Sequence, residues 1–430
     1  MKDLDTFNAG LLAFLSDSPT PFHAVRALGA LLSERGFEAL DEAEPWSLQP
    51  GGRYFLRRSG SSLIAFVKGR QAAAASGLRL IGAHTDSPCL KPKPRPELRR
   101  HGYLQLGVEV YGGALLNPWF DRELSLAGRL SFGTADGVAH ALIDFEAPIG
   151  VIPSLAIHLD RSANEGRAVN AQTHLPVLLC GDKSESRGFE DVLLARLLEE
   201  HPDCGARQVL GFDLCFYDTQ RPALVGLHRE FIAGGRLDNL LSCYAGAMAI
   251  AEASGEVDAV LVCNDHEEVG SVSAAGASGP MLDAVLARLV PDRESRDRAI
   301  ARSLLISADN AHGVHPNFAD KHDANHGPAL NAGPVLKLNA NQRYATSGET
   351  GAMFRWLCEA EGVPLQAFAV RSDMACGSTI GPLTAAAIGV RAVDVGVPTF
   401  AMHSPRELAG AQDLHSLARV MARFYAETRL

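Results

Sequence analysis

The chain has 430 residues, of which 47% are apolar and 21% charged, enough for buried cores and too little charge for a disordered polymer. Its formal net charge of −10 argues against a general nucleic-acid binder, which needs a basic face to release counterions. No run of ~18 uninterrupted apolar residues is present, so no membrane-spanning helix is expected.

Reading from the N-terminus, Leu4, Phe7, Leu11, Leu12 and Leu15 recur at helical spacing, and Asp3 and Asp5 break any secretory signal. A second helix is announced by Thr20 as N-cap and Pro21 at the first helical position, with Gly36 past its end. Two short strands, RYFLRR and SLIAFVKG, then a buried strand, LRLIGAH, follow. KPKPRPELRR alternates proline with charge and reads as a linker or domain entrance. Short strands such as LQLGVEVYGG, SLAGRLSFG and AHALIDF come next, with one helix around 187–200. After Gly235 strand and helix alternate again to the end of the chain. Strands that are apolar without alternation belong to a sheet covered on both faces. The expected architecture is therefore α/β: a catalytic domain of mixed sheet flanked by helices, made of residues 1–90 and 232–430, and an inserted, mostly β domain over 91–231. The eight cysteines sit singly, with no CxxC, as reduced thiols of a cytoplasmic protein do.

Four apolar strands run into side chains that bind metals. LRLIGA ends in His84 and Asp86, LVCND runs into His266, Glu267 and Glu268, LLISA into Asp309 with His312 and His315 behind it, and VDVGVPTFAM into His403. Asp238 opens a helix after Gly234 and Gly235. Ligands in open α/β sheets gather at the carboxyl ends of strands, so these residues are expected to converge. A set of His and carboxylates without Cys suits Zn²⁺, or Mn²⁺ or Co²⁺ in its place. It is too large for one catalytic zinc and fits a bridged metal pair ~3.5–4 Å apart. In the Glu267-Glu268 pair, extended backbone would point one carboxylate at metal and leave the other as general base. Asp86, two residues after His84, is placed to orient that imidazole. Each motif alone has a plainer reading: a capping pair, a solvated turn, an N-cap, a loop histidine. The joint pattern carries the metal reading. A deacylase or carboxypeptidase on the same cage is the alternative, while neither GxGxxG nor GxxxxGK[ST] is present to bind nucleotide.

GAHTDSP, FIAGGRLDNL, NDHEEVGS, SADNAHGVHPN, QRYAT, CGSTIGP and AMHSPRE, with TPFHAV near the start, together resemble the M18 family of metallopeptidases, the aspartyl aminopeptidases. The resemblance implies a dizinc exopeptidase that removes an N-terminal Asp or Glu from peptides. By motif, His84 and Asp309 would hold one zinc, Glu268 and His403 the other, and Asp238 would bridge them. Glu267 would be the general base and Asp86 the support of His84. Lys337, in PVLKLN, resembles the family's acid-recognising lysine, although by itself it reads as a solvated strand lysine. Arg343 and His312 are further candidates for substrate contact. His158, otherwise a strand histidine, resembles one presented to a neighbouring subunit, and the resemblance implies a homo-oligomer, a dodecamer.

Overall fold

The structure is a computed structural model describing residues 3–429. It divides into two compact units, one made of residues 3–86, 222–402 and 407–429 and the other of residues 87–221 and 403–406.

In the first unit a nine-stranded sheet runs in the order Glu38–Ala39, Arg53–Arg58, Ser62–Val67, Asp258–Asn264, Leu78–His84, Leu304–Ala308, Arg391–Gly396, Val335–Leu338, Gln366–Ala369. Its four middle strands, from Asp258–Asn264 through Arg391–Gly396, are all parallel, so their carboxyl ends share one edge. The flanking strands Ser62–Val67 and Val335–Leu338 run antiparallel to them, which makes the sheet mixed.

The unbroken apolar runs are explained by two cores. Alternate residues of one strand enter opposite faces. Ile81, Ala83, Leu261, Cys263, Leu304 and Ile306 pack with the helices Leu4–Ser16, Pro21–Ser33, Leu237–Ile250 and Asp413–Ala426. Leu78, Leu80, Val260, Val262 and Leu305 pack with Met281–Leu289 and Arg293–Ala301. The helix starts follow the expected chemistry: Asp3 accepts the N–H of Thr6, and Thr20 that of His23. A smaller five-stranded sheet, in the order Ala223–Val225, Phe231–Gly234, Glu407–Gly410, Pro398–Phe400, Ala311–His312, completes this unit.

The second unit holds a six-stranded sheet, all antiparallel, with the helix Phe189–Glu200 packed on it through Phe189, Leu193 and Leu197. KPKPRPELRR is not a linker. It lies within the strand Cys89–Arg100, paired antiparallel with Tyr103–Tyr111. Prolines at every second residue place their missing donors on one side of the strand, and the register breaks between Pro92 and Glu97. His158 is in no strand either. It sits in an exposed turn between Ile157 and Leu159. Among the described residues no helix is long and apolar enough to cross a membrane.

Candidate metal centre

His84 ends the strand Leu78–His84 at the shared carboxyl edge and is buried. Its Nε2 lies 3.5 Å from Asp238 Oδ1, 3.5 Å from Asp309 Oδ1 and 4.0 Å from Glu267 Oε2. His84, Asp238 and Glu268 each offer a ligand atom, all within 4.8 Å of one another. One imidazole nitrogen and several carboxylate oxygens are a donor set zinc accepts. Burial alone would hold the imidazole neutral, but Asp238, Asp309 and Asp86 outweigh it and raise the His84 pKa well above its ordinary value. The Glu267 carboxyl is pushed up to about 7, first by burial and then by Asp309, Asp238 and Asp86, against the opposing pull of His84. These directions report one condition: a dry site with an excess of negative charge.

Two turns deliver the acids. Between Phe231–Gly234 and the helix that follows, Arg236 is left-handed at φ 61° and Asp238 departs from helical geometry at φ −82°, ψ 107°. Arg236 Nε donates to Ser18 O, and Asn239 Nδ2 to Ala308 O, at 2.9 and 2.7 Å. The N–H of Asp238 donates to Glu407 Oε2 at 2.8 Å. After Asp258–Asn264, His266 is left-handed at φ 65° and opens a 3-10 turn over Glu267–Val269. The two glutamates therefore stand on a tight turn rather than on extended backbone.

Asp86 stands beside His84 and also braces the glutamate turn. Its carboxylate accepts the N–H groups of both Glu267 and Glu268, each at 3.1 Å. His84 Nδ1 lies closer to the Asp86 carbonyl, 3.0 Å, than to its carboxylate, 3.4 Å. The N–H of Asp309 donates to Val395 O, and a Cβ added at Gly396 would collide with the Asp309 carbonyl. Only glycine lets those two chains approach so closely.

Lys337 is buried, not solvated. Its ammonium donates to Asn310 O at 2.9 Å, Asp309 O at 3.3 Å and Asp309 Oδ2 at 3.4 Å, and stands 4.8 Å from the centre of the Tyr344 ring. Burial disfavours its charge, yet the Asp309 carboxylate and further acids hold its pKa above the ordinary value. His312 packs edge-on against Phe368, with ring centres 5.5 Å apart. Arg343 is exposed, its Nε 3.4 Å from Cys376 O. His266 turns to Ser273 Oγ at 2.8 Å, and His315 rests on Phe318 and Phe400. His403 and His158 belong to the second compact unit, where His403 Nδ1 lies 3.0 Å from Gly113 O. Glu407, Gly396 and the burial of Lys337 escaped the sequence reading. The first had a signal, since AMHSPRE ends on Glu407.

A family model described as aminopeptidase I zinc metalloprotease (M18) matches residues 14–425. The chain belongs to the M18 family. A "Probable M18 family aminopeptidase 2" of Pseudomonas putida is 59% identical over 427 residues, covering 99% of each chain. The Azotobacter vinelandii protein of the same name is 59% identical over 423 residues, 98% of this chain and 99% of the other. Among solved structures, the "Ape4 and Nbr1 complex" superposes with a TM-score of 0.94 at 36% identity, covering 98% of this chain and 86% of that one. The "S. cerevesiae mApe1 dodecamer" gives 0.83 at 27% identity, with coverage of 98% and 96%. M18 members are zinc aminopeptidases, hydrolases of this α/β architecture, and the donor set around His84 suits that metal.

Proposed function

We propose that this M18 chain is a dizinc aminopeptidase that removes Asp or Glu from the N-terminus of peptides. The observation that carries the reading is the crowding of Asp238, Asp309, Glu267 and Glu268 about one buried imidazole. So many carboxylates in a dry site need more positive charge than His84 and Lys337 bring. His84 and Asp309 would hold one zinc, Glu268 and His403 the other, and Asp238 both, with Mn²⁺ or Co²⁺ as substitutes. Bound metal would supply a water that ionises near neutral pH and a Lewis acid for the scissile carbonyl.

The rest of the chemistry belongs to the chain. Glu267, left out of the ligand set, accepts the proton of the attacking water and delivers it to the leaving amine. Lys337 reads the acidic side chain. Two of its three contacts are long, at 3.3 and 3.4 Å, and a substrate carboxylate takes the place of one. His312 and Arg343 border the substrate. The active form is a homo-oligomer, a dodecamer as in the yeast relative's structure, with the exposed Leu155, Ile157, His158 and Leu159 turn of the insert meeting a neighbouring copy. Its cysteines stay reduced in the cytoplasm.

The test compares initial rates on peptides beginning with Asp, Glu, Leu and Lys, with free and blocked N-termini, before and after chelation. Acidic residues with a free amine should be preferred, chelator should abolish turnover, and zinc should restore it. Preference for Leu would reject the acidic specificity and leave the metal reading standing. Full turnover after exhaustive chelation would reject the metal reading. Lys337→Met should cut kcat/KM about 10- to 100-fold on Asp peptides, the range for a charged hydrogen bond, and much less on Leu peptides.

A further inference from the structure

We infer that Glu407 is a positioning residue, whose buried carboxylate fixes the Asp238 side chain by accepting the peptide N–H of Asp238. The inference rests on the dizinc reading of the same site.

The first N–H groups of a helix have no partner within it. That of Asp238 finds Glu407 Oε2 at 2.8 Å. Glu407 is 2% exposed. Its strand has no need of this side chain for pairing, because Glu407–Gly410 is already laddered by backbone to Phe231–Gly234, with Glu407 opposite Gly234. Burying a polar side chain is unfavourable unless it is hydrogen-bonded, so this bond offsets a cost that an apolar residue would avoid. The backbone at Asp238 is non-helical and is held on its other sides by Arg236 to Ser18 and Asn239 to Ala308. Glu407 supplies the contact at the ligand residue itself. Asp86 performs the same service for Glu267 and Glu268.

The experiment measures zinc affinity of the full-length, metal-freed protein by competition with a chelating dye, beside thermal melting without metal. Glu407→Ala should weaken zinc about 10- to 100-fold, the usual effect of losing a group that orients a ligand. It should lower kcat at saturating zinc more than it changes KM. Glu407→Gln, whose side-chain carbonyl can accept the same N–H, should recover most of the affinity. Folded Glu407→Ala with wild-type zinc affinity would overturn the inference, as would a Gln variant as impaired as Ala. Should the Ala variant fail to fold, Glu407→Asp decides: retracting the carboxylate should weaken zinc in a protein that melts normally, and unchanged affinity overturns the role. Wild-type protein that binds no zinc would instead sink the dizinc reading, and this inference with it.

Discussion

The Asp238 turn and the Glu267–Glu268 turn solve one problem in two ways. Each follows a strand, passes through a left-handed residue, Arg236 or His266, and presents acids whose N–H groups go to a buried carboxylate. They differ in what that carboxylate is attached to. Asp86 lies two residues past His84, so the glutamate turn is tied to the histidine it faces. Glu407 comes from the smaller sheet, and Arg236 ties the Asp238 turn to the end of the first helix through Ser18. One turn is therefore braced from inside the site, the other from the body of the unit. Damage to the first should be local, and damage to the second should reach the site from afar.

Three measurements sharpen or break this contrast. The largest effect is expected for Glu267→Gln, which leaves the turn and its brace in place. Turnover should fall by at least ~10²-fold with zinc content unchanged, as loss of a general base requires, and a near-normal rate with full metal would reject the role. Asp86→Ala removes the acceptor of two N–H groups and the neighbour of His84 together. Zinc affinity should drop about 10- to 100-fold, with a melting temperature that falls because buried donors are left unmet. If only melting changed, the internal brace would be structural alone.

The smallest effect concerns pH and the outer brace. His23 is buried, and burial, then Arg26 and Arg236, lower its pKa to about 3. The folded state thus keeps it neutral while the unfolded chain takes up a proton below pH ~6.5. Stability should be unaffected above that value and decline as pH falls from ~6.5 toward 3, at ~1.4 kcal/mol per pH unit for one proton. His23→Asn should flatten that slope. An unchanged slope would uncouple His23, at the start of the second helix, from the titration.

Much of this was legible because the candidate metal ligands stand where buried strands end. His84, Asp309 and the glutamate pair follow apolar runs, and Asp238 follows a glycine pair. Strands without alternation announced a sheet covered twice, and the two cores bear that out. What stayed hidden depends on partners distant in sequence. Lys337 resembles any strand lysine until Asp309 and Asn310 close on it. Glu407, in a stretch with Arg406, looks like surface until Asp238 is seen against it. KPKPRPELRR stands at the entrance of the second unit but is strand rather than linker: proline and charge are turn signals, and pairing with Tyr103–Tyr111 outweighs them. The contact of the Asp86 carboxylate with the His84 imidazole is foreshadowed by their i, i+2 spacing, whereas its bonds to the Glu267 and Glu268 N–H groups, from far along the chain, are not.

The hydrogen bond from the Glu267 N–H to Asp86 joins residues 181 apart. Between them lies the whole six-stranded sheet of the insert, whose strands are laddered to one another. Loop closure over such a span must precede any reward from the contact. A nascent chain that has emerged only through residue 221 can thus complete the insert's ladder, yet it lacks Asp238, Glu268 and Asp309. If the proposed ligand set holds, cation capture would therefore be a late event in this protein's biogenesis.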